Sequence, residues 1–129
     1  MDWQEALLSR LTDDAALAAL IAGRAYWVER PQQAALPAIT LQLIADAPDQ
    51  HMEGFQAFRA SIVQIDCWAE RHIEAAAMAE AVKQAAAPAG TFSGVRFGRS
   101  FVNAIRDLGD QGATKFIHRT SLDIRIWHC

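Results

Sequence analysis

Residues 115–128, KFIHRTSLDIRIWH, constrain the fold more than any other stretch. Phe116, His118, Thr120, Leu122, Ile124 and Ile126 alternate with Ile117, Arg119, Ser121, Asp123, Arg125 and Trp127. Successive side chains of a β-strand point to opposite faces. The first set is apolar and the second is charged and polar in its middle. Such a strand has one face in a core, while the other meets water or a partner. That is the pattern of an antiparallel sheet covered on one side.

A second long strand is expected at residues 57–69, AFRASIVQIDCWA. There Val63, Ile65 and Cys67 share one face; Ile62, Gln64, Asp66 and Trp68 share the other. Residues 70–87 read as a helix with a narrow stripe of Ala75, Met78, Ala79, Val82, Ala85 and Ala86, which permits close packing on a sheet. Pro88 and Gly90 end it. Residues 3–21 are also helical, with Leu7, Leu8, Leu11, Ala15, Leu17, Leu20 and Ile21 at three-to-four spacing. A break is expected at Thr12-Asp13-Asp14, whose side chains compete for backbone groups, and Gly23 is the expected C-cap. Shorter strands are expected at 25–29 and 38–45, the latter after Leu36-Pro37. Residues 91–107 read as one long or broken strand, and 108–114 as a turn with two glycines. The order α, β, β, β, α, β, β predicts an α+β fold, an antiparallel sheet of about four main strands with two main helices on one face.

At 129 residues the chain is expected to form a single domain, 1–129. Hydrophobic residues at 52% and charged residues at 21% match a globular domain. The net charge of −3 and the lack of a basic patch give no support to nucleic-acid recognition. Two cysteines, Cys67 in an apolar run and Cys129 at the end, do not make a disulfide framework. No apolar run approaches the ~18 residues of a membrane span. The start, MDWQEALLSRL, has no basic leader with an apolar core, so no secretory signal is expected.

Chemistry is hard to find. His51, His72, His118 and His128 have no His, Cys or acid at metal-ligand spacing, so neither a metal nor another cofactor is expected. Cys67 is expected to be a buried, inert thiol, and no serine lies in a G-x-S-x-G context. Asp66 and Asp123 can meet on the polar face of the sheet, but Arg119 and Arg125 share that face, and cross-strand ion pairs explain all four. The polar face, Gln64, Asp66, Arg119, Asp123 and Arg125, is therefore a candidate contact surface rather than an acid–base site. The segment 46–56, DAPDQHMEGFQ, is long for a hairpin loop. Trp3, Trp27, Trp68 and Trp127 lie near the ends of expected elements and suit sheet-rim packing, with one or two at a subunit interface.

The run ALLSRLTDDAALAALIAGRAYWVERPQQAALPAITL resembles the start of a phage tail completion, or tail-terminator, family. There a helix of the type LxxRLxxDxALxALxxGR leads into a short strand, a PQ turn and an LP approach to the next strand. Leu8, Leu11, Asp14, Ala16, Leu17, Leu20, Gly23, Arg24, Tyr26, Pro31, Gln32, Leu36 and Pro37 stand at the matching positions. The join IVQIDCWAERHIEAAAMAEAVKQAA is similar to the family's strand-to-helix step, through Val63, Ile65, Trp68, Ala75, Ala79, Ala81 and Val82. After Pro37 the family often has an aromatic, where Ala38 stands here.

The resemblance implies a non-enzymatic structural protein of long-tailed phages, prophages and gene transfer agents. It implies a homo-oligomeric ring, a hexamer in the particle, at the head-proximal end of the tail tube. That ring would stop tube growth and join tail to head. Its partners would be further copies of the chain, the major tail tube protein and a head-completion or neck protein. DNA would pass through its lumen without sequence recognition. On this reading the loop carrying Asp46, Asp49, His51, Glu53 and Phe55 is an acidic docking or lumen segment, mobile before assembly. A neck connector, or a small α+β ligand-binding or enzymatic dimer, is the alternative.

Overall fold

A computed structural model describes residues 2–28, 36–46, 50–51, 54–55, 59–111 and 116–129. Helix α1 (Trp3–Asp13) starts at Asp2, whose carboxylate accepts the Glu5 amide at 2.8 Å. The expected break falls at Asp14. This residue closes α1, and its carboxylate caps α2 (Ala15–Ile21) by accepting the Leu17 amide at 3.1 Å. Ala22 and Gly23 both take left-handed backbone, φ 49° and 79°, so the turn out of α2 uses two residues rather than the glycine alone.

Strands β1 (Ala25–Trp27) and β2 (Ala38–Asp46) pair in parallel. A small separate hairpin follows, β3 (Gln50–His51) with β4 (Gly54–Phe55). Strand β5 (Arg59–Ala69) runs antiparallel to β2 and leads into α3 (His72–Ala86). Three strands come next: β6 (Gly90–Phe92), β7 (Val95–Phe97) and β8 (Phe101–Gln111). The chain closes on β9 (Phe116–His128).

The main sheet has seven strands in the order β1-β2-β5-β9-β7-β6, with β8 also on β9, and it curls into a half-barrel. Seven strands, one parallel pairing and three helices overturn the expected four-stranded antiparallel sheet with two helices. The reasons are local. The stretch expected as one strand, 91–107, folds at Ser93-Gly94, where φ of 52° and 80° makes a two-residue hairpin turn between Phe92 and Val95. It leaves the sheet again before Phe101. Residues 108–111, expected as turn, extend β8, because the long β9 offers them a partner as far as Phe116. Parallel pairing of β1 has no local signature, since it depends on where the chain returns.

One face of the sheet is buried under the helices. Ile39 and Leu41, Val63, Ile65 and Cys67, and Leu122, Ile124 and Ile126 meet Leu7, Leu11, Leu17, Ile21, Met78 and Val82 in one core. The small-residue stripe of α3 is buried as its spacing implied. Trp3 packs edge-on against Trp27, with centroids 6.3 Å apart, and stacks on His128 at 4.2 Å. These rims of the monomer are thus sealed by tryptophans packing within the chain.

Cys67 has no exposed surface, and burial, reinforced by the neighbouring Asp66, pushes its thiol pKa well above the ordinary value. It is an inert core residue. Cys67→Ser should cost about 1–3 kcal/mol by burying a hydroxyl without a partner, readable as a lower denaturation midpoint at unchanged slope. An unchanged midpoint would show that Cys67 reaches solvent.

Candidate assembly surface

The open face of the sheet carries the expected polar residues, in an arrangement that register decides. Asp66 lies opposite Ser121, and Asp123 opposite Gln64, so the two carboxylates are not a facing pair. Each has its own partners. Asp66, nearly buried, lies 3.5 Å from Nη1 of Arg119 and accepts the Gln64 amide at 3.1 and 3.2 Å. The Arg119 guanidinium also lies over the Trp68 ring at 4.9 Å, and Trp68 Nε1 donates to Thr40 Oγ1 at 3.0 Å.

Asp123 is held by a residue that sequence reasoning missed. Arg106 of β8 grips both its oxygens, at 2.9 and 3.1 Å, and also donates to Ser121 Oγ at 3.2 Å. That fork holds the Arg106 guanidinium above its ordinary pKa. Arg125, expected to help here, is exposed opposite Phe101 and Ile62. The signal for Arg106 was hidden, because its stretch shows no clean two-residue alternation. With each carboxylate paired to an arginine, this belt offers neither a free general base nor an activated nucleophile. Chemically it ties β2, β5, β9 and β8 together and presents a polar, nearly charge-balanced surface.

Of the expected loop residues, Asp49 and Glu53 lie outside the described residues. Asp46 closes β2, while His51 and Phe55 belong to the β3–β4 hairpin, where His51 pairs with Gly54 and Phe55 with Gln50. The hairpin forms a two-stranded sheet separate from the one that carries the polar belt.

The larger surprise is β8. It pairs only with β9 among the described strands and so leaves an eleven-residue edge. Phe101 and Leu108 point to the open face, while Val102 and Ile105 point to the helix side, by register with β9. All four are exposed, Phe101 by 53% and Ile105 by 49%. Helix α3 packs mainly on β5 and β9 and reaches β8 through His72 beside Asp107. Phe116, at the start of β9, and Ile73, in the first turn of α3, are exposed as well. An edge strand with apolar residues on both faces is a surface adapted to being covered.

His72 lies 3.6 Å from Asp107 and edge-on to His118, with centroids 6.0 Å apart, but no group among the described residues could hold a metal. Ser61 and His128 share a hydrogen bond of 2.8 Å inside the core, where no substrate reaches. A cavity of about 410 Å³ opens between α1, α3 and the β6–β7 turn, lined by Arg10, Asp13, Asp14, Thr91, Phe92 and Ser93. Asp14 is committed to capping α2, and Arg10 lies 4.0 Å over the Phe92 ring. No described helix is long and apolar enough to cross a membrane.

Comparison with known proteins gives these surfaces a context. Residues 5–128 match the model of the tail completion protein gp17 family. Among solved structures, a chain of the virion of a native gene transfer agent particle superposes with a TM-score of 0.76. It is 22% identical, over 98% of this chain and 93% of that one. A second solved chain superposes less closely, with a TM-score of 0.49 at 12% identity, over 95% and 94% of the two chains. No curated protein matches the chain. The family match spans nearly the whole sequence, from α1 to the end of β9, and on it the chain belongs to the tail completion protein gp17 family.

Proposed function

We propose that this tail completion protein works as a ring at the head-proximal end of the tail tube, where it ends tube growth and joins the tail to the head. Family membership gives it a structural role in phage tails. The finer role rests on one observation: an exposed edge strand, β8, apolar on both faces, in a fold whose polar face is neutralised internally. Such a surface is suited to lasting contact with protein, not to turnover. Its partners on this reading are further copies of the chain, in a hexamer, then the major tail tube protein below and a head-completion or neck protein above. It would be assembled in the host cytoplasm and carried in the particle. DNA would pass through the ring without base-specific contacts.

Mixing the purified protein with growing tail tubes tests the role. Electron microscopy should show tubes that stop growing and carry a cap at one end. Tubes that grow unchanged, while the protein instead binds empty heads, would make it a neck connector. A dimer whose mass is independent of concentration, with no effect on tubes, would end the ring reading.

A further inference from the structure

We infer that neighbouring copies join edge to edge, the free edge of β8 in one copy pairing with the free end of β2 in the next. This names the contact within the ring proposed above and rests on that reading. The argument starts from unpaired backbone. Strand β1 covers β2 only at Ile39, Thr40 and Leu41, and the Val28 amide reaches Leu41 O. Residues 42–46 of β2 have no neighbour on that side among the described strands. On the far side of the sheet β8 is equally open. Among the described residues one chain thus carries two different edges without a strand partner, which is what a head-to-tail contact requires, since such a contact uses unlike patches and closes into a ring if the rotation allows.

Direction and level agree. Strands β2, β5, β9 and β8 alternate in direction, so residues 101–104 of β8 in one copy lie antiparallel to residues 42–45 of β2 in the next, where the sheet continues past the end of β1. Across a single copy, Ala45, Ile62, Arg125 and Phe101 form one row. A copy rotated about an axis along the strands therefore brings its Ala45 to the level of its neighbour's Phe101, on the same open face. Exposed apolar residues mark both edges at this level: Phe101 at 53% and Val102 at 39% on one, Ile44 at 51% on the other.

Charge agrees as well. The Phe101 end of β8 is flanked by the exposed Arg99 and Arg125, while β2 ends on Asp46. The continued sheet sets these arginines at the level of the end of β2, whose sequence closes on an aspartate, which favours a second copy over an unrelated partner. Backbone pairing supplies the contact and alternate side chains its register, as in other strand-addition interfaces.

Cysteine pairs test this in a Cys129→Ser background. Ala45→Cys with Phe101→Cys should cross-link under mild oxidation of the full-length protein, concentrated or bound to tail tubes. Ala45→Cys with Ala104→Cys allows for a two-residue stagger on the same face. Either pair should give a ladder of covalent species ending at the closed ring. Each single variant should stay monomeric on a non-reducing gel, and circular dichroism confirms that each is folded. A dimer from Phe101→Cys alone would show a symmetric β8–β8 contact and overturn the inference. Rings seen by microscopy without a ladder from either pair would also overturn it and leave the ring reading intact. Absence of rings with and without tubes would remove both.

Discussion

Leu122→Ala is expected to lower the stability of the subunit by about 2–5 kcal/mol, a large share of the ~5–15 kcal/mol available to a domain. Leu122 is fully buried on β9, between Ile65 of β5 and Ile105 of β8. Strand β9 is bonded to β5 on one side and to β7 and β8 on the other, so it cannot shift inward to fill the space left by the side chain. Urea unfolding followed by circular dichroism measures the loss. A change under about 1 kcal/mol would mean that this part of the core relaxes freely and is not closely packed.

Deletion of residues 47–55 should leave the domain folded and abolish joining of tails to heads. The excised segment contains the β3–β4 hairpin, which forms a two-stranded sheet of its own, separate from the seven-stranded one. Asp46 pairs with Ser61, so the shortened connection keeps residues 56–60 between them, a length that antiparallel hairpins commonly use. Thermal unfolding should move by a few degrees at most, while particle assembly should yield separate heads and tails. Loss of folding would reassign the segment to the core. Normal joining would make it an inert loop and leave docking to other surfaces, β8 first among them.

Legibility differed sharply between elements. The core strands were readable, because Val63, Ile65 and Cys67, and Leu122, Ile124 and Ile126, alternate strictly and are buried on one face as expected. The helix α3 was readable for the same reason at a different period. The family was also legible, from the order of weak motifs between Leu8 and Val82, and the match over residues 5–128 shows it. The polar face was half legible. Gln64, Asp66, Arg119, Asp123 and Arg125 lie on one face of β5 and β9, but the partner of Asp123 is Arg106 of β8, which the sequence did not suggest. A two-residue period assigns faces and says nothing of which strand lies alongside, so ion-pair partners cannot be taken from it.

Strand β8 was the least legible and is the element on which the functional proposals turn. Its apolar residues lie on both faces, so it lacks the alternation that marks a half-buried strand. Its ambiguous pattern and its exposed surface have one cause, an edge position on the sheet.

The sequence alone determined which residues enter the core and where the helices begin and break. These follow from local periodicity and from side chains competing for nearby backbone groups. The tertiary structure alone decided the number of strands, the parallel placement of β1, the Arg106–Asp123 fork and the two edges that lack a strand partner among the described residues. Those depend on which distant segments lie side by side, a choice made by closing the core as a whole, and no short window of residues contains it.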